Sequence, residues 1–277
     1  MKIGIIGMGY WGKIILRNLI ELGHSDIIVC EQREVDWPSI GSKFHIEKDY
    51  KKLECDKVFV LTPATAHYEI CDHFLSKGVD VFCEKPLDQN IDRCKKLFEL
   101  ARKKNAVLFV DWLFSFNPAV HQIKSLIKQL GKPTNIIANR MNFGPERFDV
   151  NARWDLASHD VSIACFLLDE NPESVKWLDF KRNAKSKQDD SVVGILSFEQ
   201  TCVQINASWS YNIKNRLYTI EFDEGFLYWD DSNQSILFNS EQINVSKQSP
   251  LHNSINEFFS RKSNEELTEV ITNILNK

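Results

Sequence analysis

Three groups of residues in this chain have the types and spacing to do chemistry. The first is Gly7-Met8-Gly9-Tyr10-Trp11-Gly12, which follows the apolar run Ile3-Gly4-Ile5-Ile6 and opens an amphipathic stretch. Between a strand and a helix, the first glycine permits a tight turn, the second lets the backbone approach a pyrophosphate, and the third lets helix and strand pack closely. A helix starting at Tyr10 and Trp11 then offers unpaired N–H groups and the positive end of its dipole to phosphates. Glu31 stands nineteen residues after Gly12, directly behind a second apolar run, where a carboxylate can accept hydrogen bonds from an adenosine ribose. Turn glycines and a surface acid are the plainer alternative; strand, glycines, helix and acid in one register favour a dinucleotide site. That carboxylate would repel a ribose 2′-phosphate, so NAD is expected over NADP. Arg33 works in the other direction, since it could pair with a 2′-phosphate or lie over the adenine.

The second group sits in two loops. Leu61-Thr62-Pro63-Ala64-Thr65-Ala66-His67 follows one apolar run, and Cys83-Glu84-Lys85-Pro86 follows the next. Ligands of a doubly wound sheet collect beyond the carboxyl ends of its strands, which puts Thr62, Pro63, His67, Glu84, Lys85 and Pro86 at the expected cofactor edge. An ammonium at Lys85 could stabilise a developing alkoxide or assist proton transfer. Position alone equally allows a solvated lysine ahead of a helix-starting proline.

The third group is Trp154-Asp155-Leu156-Ala157-Ser158-His159-Asp160, with Asp155 and His159 four residues apart and therefore on one face if helical. Oxidising an alcohol needs a group that takes the hydroxyl proton as hydride leaves carbon, and a histidine suits that task with a carboxylate to orient its ring. Read in isolation, the segment is better described as a capping Asp and a buried His. As metal ligands, Asp155, His159 and Asp160 on one short segment do not close a coordination set, and no metal is expected. Arg140, Arg147, Asn151 and Arg153 flank the segment and could hold a sugar hydroxyl, carboxylate or diphosphate, or simply form surface salt bridges. The basic run Lys181 to Lys187 reads as a solvated loop rather than a phosphate contact.

The elements that must position these groups follow from periodicity. Up to about residue 115, short apolar runs alternate with amphipathic stretches, as in a parallel sheet with crossover helices. Strands are expected at Lys2-Ile6, Ile27-Cys30, Val58-Leu61, Asp80-Cys83 and Val107-Val110, with a weaker one near Phe44-Ile46. Helices are expected at Trp11-Leu22, Thr65-Lys77 and Asp92-Lys104, the first two stopped by Gly23 and Gly78. Residues 116–277 read as a second, α+β domain. It has helices at Pro118-Leu130 and His159-Leu168, six mainly antiparallel strands between Asn135 and Trp229, and a final helix at Glu265-Leu275. The two domains follow from length as well, since 277 residues exceed the roughly 100 to 200 of one ordinary domain.

Composition excludes several classes. The chain is 43% hydrophobic and 26% charged with a net charge of −4, which gives no electrostatic reason to expect nucleic acid or an anionic membrane as partner. The first apolar run is too short for a signal peptide, and no stretch approaches the roughly 18 apolar residues of a membrane span, so a cytoplasmic protein is expected. Seven scattered cysteines without a C-x-x-C pair suggest neither a disulfide framework nor a zinc site.

Gly7-x-Gly9-x-x-Gly12 with Glu31, Thr62-Pro63 with His67, Glu84-Lys85-Pro86 and Asp155-x-x-x-His159, in this order and spacing, resemble the glucose-fructose oxidoreductase, inositol dehydrogenase and rhizopine-catabolism (Gfo/Idh/MocA) family over nearly the whole chain. The resemblance implies an N-terminal Rossmann domain with a doubly wound parallel sheet, followed by a domain whose open, mainly antiparallel sheet forms homo-oligomer contacts. It also implies hydride transfer between NAD and a secondary hydroxyl of a sugar, cyclitol or nucleotide sugar, with Lys85, Asp155 and His159 as the catalytic set. His159 would accept the proton, Asp155 orient it and Lys85 polarise the oxygen; a lysine base is the reverse assignment. The segment from Asn142 to Asp160 is similar to members associated with nucleotide-sugar metabolism. Two features depart from the family: Asp111-Trp112 stands where a Gly-His or similar pair is usual, and the second domain is short. A non-catalytic dinucleotide sensor and an NAD-retaining glycoside hydrolase are the rival readings. A sensor would need only the glycines and Glu31, so Lys85, Asp155 and His159 together argue against it.

Overall fold

The computed structural model describes residues 1–34 and 44–277. The chain divides into two compact units, Met1–Asp111 with Leu251–Thr272, and Trp112–Pro250 with Asn273–Lys277.

In the first unit the order is β1 (Ile3–Ile6), α1 (Tyr10–Glu21), β2 (Ile27–Cys30), β3 (His45–Glu47), β4 (Lys57–Val60), α2 (His67–Ser76), β5 (Asp80–Cys83), α3 (Ile91–Lys103) and β6 (Leu108–Val110). All six strands run parallel in the order β3-β2-β1-β4-β5-β6, so the winding reverses between β1 and β4. Every residue of β1, β4, β5 and β6 is buried, which is why, after Lys57 and Asp80 at the starts of β4 and β5, these strands read as continuous apolar runs instead of alternating ones. In α3 the Asn90 side chain accepts from the Asp92 and Arg93 N–H groups and fixes the helix start, while Cys94, Leu97, Phe98 and Ala101 form the buried stripe. Ala64–Ala66 form a 3₁₀ turn, so the helix expected from Thr65 begins at His67.

The second unit opens with α4 (Pro118–Leu130), capped by the Asn117 side chain, and β7 (Asn135–Phe143). A π-helical turn at Arg153–Ala157 runs directly into α5 (Ser158–Leu168). There follow β8 (Ser174–Phe180), β9 (Ser191–Ser197), β10 (Cys202–Ser208), β11 (Ser210–Asn215), β12 (Leu217–Phe222), β13 (Gly225–Asp230), β14 (Ser235–Phe238) and β15 (Glu241–Ile243). They form an open sheet in the order β15-β14-β13-β12-β7-β10-β9-β8, with β11 also on β7; β7 and β10 pair in parallel and the other pairs are antiparallel. Along β7 the buried residues are Ile136, Ala138 and Arg140, every second position, as on a sheet with one covered face.

Two helices end the chain: α6 (Pro250–Phe259) and α7 (Glu265–Leu275). A single domain cut near residue 115 does not describe their place, because residues 251–272 belong to the first unit. Phe258 of α6 packs against Phe59, Phe82 and Phe109 of β4, β5 and β6 at ring separations of 5.4, 5.6 and 6.1 Å. Beside it Asp80, 2% exposed, is neutralised by Lys57 (2.5 Å) and Arg261 (2.7 Å) and also accepts from the Val107 N–H (2.9 Å). All seven cysteines are free thiols and five are buried, acting as small apolar fillers. Among the described residues no helix is long and apolar enough to cross a membrane.

Candidate functional site

At the carboxyl end of β1 the three glycines meet three different constraints. Gly7 has φ +95°, and a Cβ there would lie 2.8 Å from the Leu61 carbonyl oxygen. A Cβ on Gly12 would lie 2.1 Å from the Gly7 carbonyl oxygen, so α1 can dock on β1 only without a side chain at that point. Around Gly9, by contrast, a Cβ would meet nothing within 4 Å. Gly9 caps α1 with no side-chain hydrogen bond, which leaves the first N–H groups of the helix facing that open space.

Glu31, at the end of β2, is 7% exposed, and both of its carboxylate oxygens accept hydrogen bonds. Oε2 accepts from the Met8 N–H (2.9 Å) and from Nη2 of Arg33 (3.1 Å); Oε1 accepts from the Arg33 N–H (3.0 Å) and from Nε of Arg33 (3.2 Å). Burial alone would push the carboxyl up, but the hydrogen bonds from Arg33 and Met8 outweigh it and hold Glu31 at about 2. Arg33 thus pairs with the acid it follows.

The loops after β4 and β5 are joined by one ring. His67, 1% exposed, places Nδ1 2.8 Å from the Pro86 carbonyl oxygen and Nε2 2.8 Å from the Thr62 carbonyl oxygen. Buried in this way, it ties the Thr62-Pro63 and Lys85-Pro86 loops to each other. The Thr62 hydroxyl is buried with no hydrogen-bond partner among the described residues. Together with the open cradle at Gly9 and the helix N–H groups, this donor set fits a dinucleotide. Glu84 is buried and gives its N–H to the Val60 carbonyl, whereas Lys85 is only half-buried. Tyr10 is 78% exposed at the start of α1, with Trp11 half-buried beside it.

A residue that the sequence marked only as a departure stands in the same unit. Asp111, just past β6, is 2% exposed; its N–H donates to the Cys83 carbonyl (2.9 Å) and its Oδ1 accepts from the Ser254 hydroxyl (2.6 Å). Burial pushes its carboxyl up to about 6, while the Ser254 bond and the Lys85 charge pull it back.

In the second unit Asp155 lies in the π-helical turn and His159 in the first turn of α5, so the backbone between them opens into a wider turn than the α-helix expected. Asn151 sets the turn: its side chain accepts from the Trp154 N–H (3.2 Å) and its carbonyl from the Asp155 N–H (2.9 Å). Trp154, Leu156, Ala157, Ser158 and Asp160 are buried, while Asp155 and His159 stay half-buried. The His159 ring meets the Phe114 ring edge-on at 5.1 Å, and the Arg140 guanidinium covers Phe114 at 4.3 Å.

The flanking arginines are all paired with acids. Arg140, 1% exposed, binds Asp160 through Nε (2.9 Å) and the Tyr218 hydroxyl through Nη2 (3.0 Å), and Tyr218 also donates to Asp160. Arg147 grips Asp149 (3.0 and 2.9 Å), and Arg153 grips Asp179. The basic run at Lys181–Lys187 is organised by Asp190, which accepts from the Arg182 and Asn183 N–H groups (2.7 Å each) and from the Ser186 hydroxyl (3.0 Å). Burial would raise the Asp190 carboxyl, but these bonds bring it down to about 2. Among the described residues no group of three His, Cys, Asp or Glu could hold a metal ion.

A family model described as an oxidoreductase family with an NAD-binding Rossmann fold matches residues 1–112, and the GFO/IDH/MocA C-terminal domain model matches residues 120–228. The chain belongs to the Gfo/Idh/MocA family. Within it, the chain is 22% identical over 188 residues to UDP-N-acetylglucosamine 3-dehydrogenase of Acidithiobacillus ferrooxidans, covering 64% of this chain and 57% of that one. It is 25% identical over 190 residues to myo-inositol 2-dehydrogenase of Thermotoga maritima, covering 63% and 57%. The matches therefore span little more than half the length of those relatives. In structure, the Acidithiobacillus enzyme superposes with a TM-score of 0.85 at 17% identity, over 99% of this chain and 95% of that one. GenD2 of gentamicin A biosynthesis, solved with NAD, superposes with 0.82 at 16% identity, over 100% and 92%. At these identities the superpositions speak for the Gfo/Idh/MocA fold alone.

The glycines make a prediction that needs no ligand. Gly12→Ala is expected to lower the melting temperature by several degrees, because its Cβ collides with backbone. Gly9→Ala is expected to leave it unchanged within about a degree, because its Cβ meets open space. Thermal denaturation of the two variants in the absence of cofactor checks the contrast, and equal destabilisation would contradict it.

Proposed function

We propose that this chain is an NAD-dependent oxidoreductase acting on a secondary hydroxyl of a sugar, cyclitol or nucleotide sugar. The observation that carries a catalytic reading over a binding module is the second-unit segment: Asp155 and His159 remain half-buried within a run of buried neighbours. A segment built only to pack would bury them, as it does Asp160. Membership of an NAD-binding family and relatives named as dehydrogenases of a nucleotide sugar and an inositol support the substrate class.

In this reading the N–H groups opening α1, the backbone at Gly9 and the Thr62 hydroxyl hold the dinucleotide, with Glu31 taking the adenosine ribose. Bound there, the nicotinamide supplies the hydride acceptor or donor. His159 takes the hydroxyl proton at a ring nitrogen, Asp155 orients that ring, and the Lys85 ammonium stabilises the negative charge that develops on oxygen. His67 serves by holding the Thr62 and Pro86 loops together rather than by touching substrate.

We further propose that a second copy of the chain covers the outer face of the second-unit sheet. Ile195, Gln204, Ile137, Thr219 and Tyr228 form one cross-strand row over β9, β10, β7, β12 and β13, flanked by exposed Leu178 and Phe226. Light scattering on the purified chain is expected to give at least twice the monomer mass, and a persistent monomer at micromolar concentration would contradict this.

The functional test is NADH formation across a panel of sugars, inositols and nucleotide sugars for the parent, Lys85→Ala and His159→Ala. On the substrate that turns over, each variant should lose about 10²- to 10⁴-fold in kcat. Full activity in both would place the chemistry elsewhere.

A further inference from the structure

We propose that Arg216, held by Asn142, binds an anionic group of the substrate, a carboxylate or a phosphate, on the covered face of the second-unit sheet. The inference rests on the reading that the Asp155–His159 segment of this unit acts on a sugar-type substrate, and it narrows that substrate to one carrying negative charge.

Arg216 stands between β11 and β12. Asn215 lies opposite Met141 and Tyr218 opposite Ala138, so the register between these pairs sets Arg216 opposite Arg140 of β7. Arg140 and Tyr218 lie on the face covered by α5, where both bond to Asp160, and strand alternation puts Asn142 and Arg216 on that face as well. Nη2 of Arg216 donates to Asn142 Oδ1 (3.1 Å), and Asn142 is fixed in turn by donating Nδ2 to the Gly144 carbonyl (2.6 Å). The Asp155–His159 segment is tied to the same face. Arg140 binds Asp160, the residue after His159, at 2.9 Å and covers Phe114, whose ring meets the His159 ring.

What sets Arg216 apart is the lack of an acid. Among the described residues every other arginine that is buried or half-buried is ion-paired: Arg93 with Asp88, Arg140 with Asp160, Arg147 with Asp149 and Arg153 with Asp179. Half-buried Arg216 makes no ion pair among them, and its Nε is buried without a hydrogen bond. The two carboxylates near it are engaged elsewhere. Asp160 serves Arg140 and Tyr218, while Asp231, opposite Arg216 on the β13 side, accepts from the Gln234 side-chain amide (3.1 Å). Burial and then the Arg140 charge destabilise the Arg216 cation, and Asp231 and Asp160 offset only part of this. A neutral hydroxyl could satisfy Nε but would not compensate the charge. Two oxygens of a carboxylate or phosphate do both, because they match the planar guanidinium fork.

Calorimetric titration of the whole protein in saturating NADH, which occupies the dinucleotide site, tests this with uridine diphosphate, glucuronate and glucose as probes. In the parent, uridine diphosphate or glucuronate should bind at least about tenfold more tightly than glucose. Preference for the first assigns the site to a phosphate, and preference for the second to a carboxylate. Arg216→Met should lose that advantage about tenfold or more while keeping the parent's NADH affinity and melting temperature, since the charge removed has no partner acid. Arg216→Gln, which retains a polar side chain, should show the same loss. Anionic probes that bind the parent no more tightly than glucose, or that bind either variant as tightly as the parent, overturn the proposal. Failure of the catalytic reading looks different: Lys85→Ala and His159→Ala would turn over normally while Arg216→Met still loses its preference for anions.

Discussion

Helix α1 can begin where it does only because Gly12 has no side chain: a Cβ would stand 2.1 Å from the Gly7 carbonyl oxygen. That close approach governs the first unit. It brings the helix start onto the end of β1, leaves the backbone at Gly9 bare, and turns the Met8 N–H toward Glu31 at the end of β2. The acid is therefore held by the same turn that would hold the phosphates. Any side chain at Gly12 would shift the helix, the Met8 N–H and the Glu31 carboxylate together.

The second consequence is alignment. Parallel strands in register end at one edge, so loops from β1, β2, β4, β5 and β6 deliver their residues to the same side of the sheet. Local bonds then fix the loops. His67 clamps Thr62 to Pro86, Asp111 clamps the end of β6 to the end of β5, and α6 comes back to close the arrangement through Ser254. In the second unit a buried ion pair does the corresponding work: Arg140 on β7 anchors Asp160 on α5, the residue next to His159. Such a pair contributes less to net stability than to fixing one arrangement, since burying two charges offsets much of their attraction.

Much of the fold was legible because its signals are local. Buried parallel strands are continuous apolar runs, helices stop at Gly23 and Gly78, and both features stand in the sequence without reference to distant residues. What the sequence did not yield depends on distant pairing. α6 is amphipathic in isolation, but nothing near it says that Phe258 meets Phe59 and Phe82. β11, β14 and β15 are short or polar strands, with the Ser210–Asn215 segment carrying little apolar pattern at all. The turn at Asp155 is π-helical, a difference of one hydrogen-bond register that side-chain spacing does not encode. Arg140 was open to reading as a substrate or surface group. Its alternation with Ile136 and Ala138 along β7 was the available signal that it faces the core. Asp111 gave no such signal, because a lone aspartate after a strand looks like a turn until its burial and Ser254 are seen.

The Glu31–Arg33 pair bears on the choice of cofactor. Arg33 was the residue most able to favour a 2′-phosphate, yet its guanidinium lies on Glu31, which stays ionised down to about pH 2. A phosphate arriving there would have to displace Glu31 from Arg33 and would itself face the buried carboxylate. The direct measurement is a titration of the purified chain with NADH and with NADPH at equal ionic strength. NADH is expected to bind at least about tenfold more tightly, a difference of about 1.4 kcal/mol. Equal or tighter binding of NADPH would contradict it.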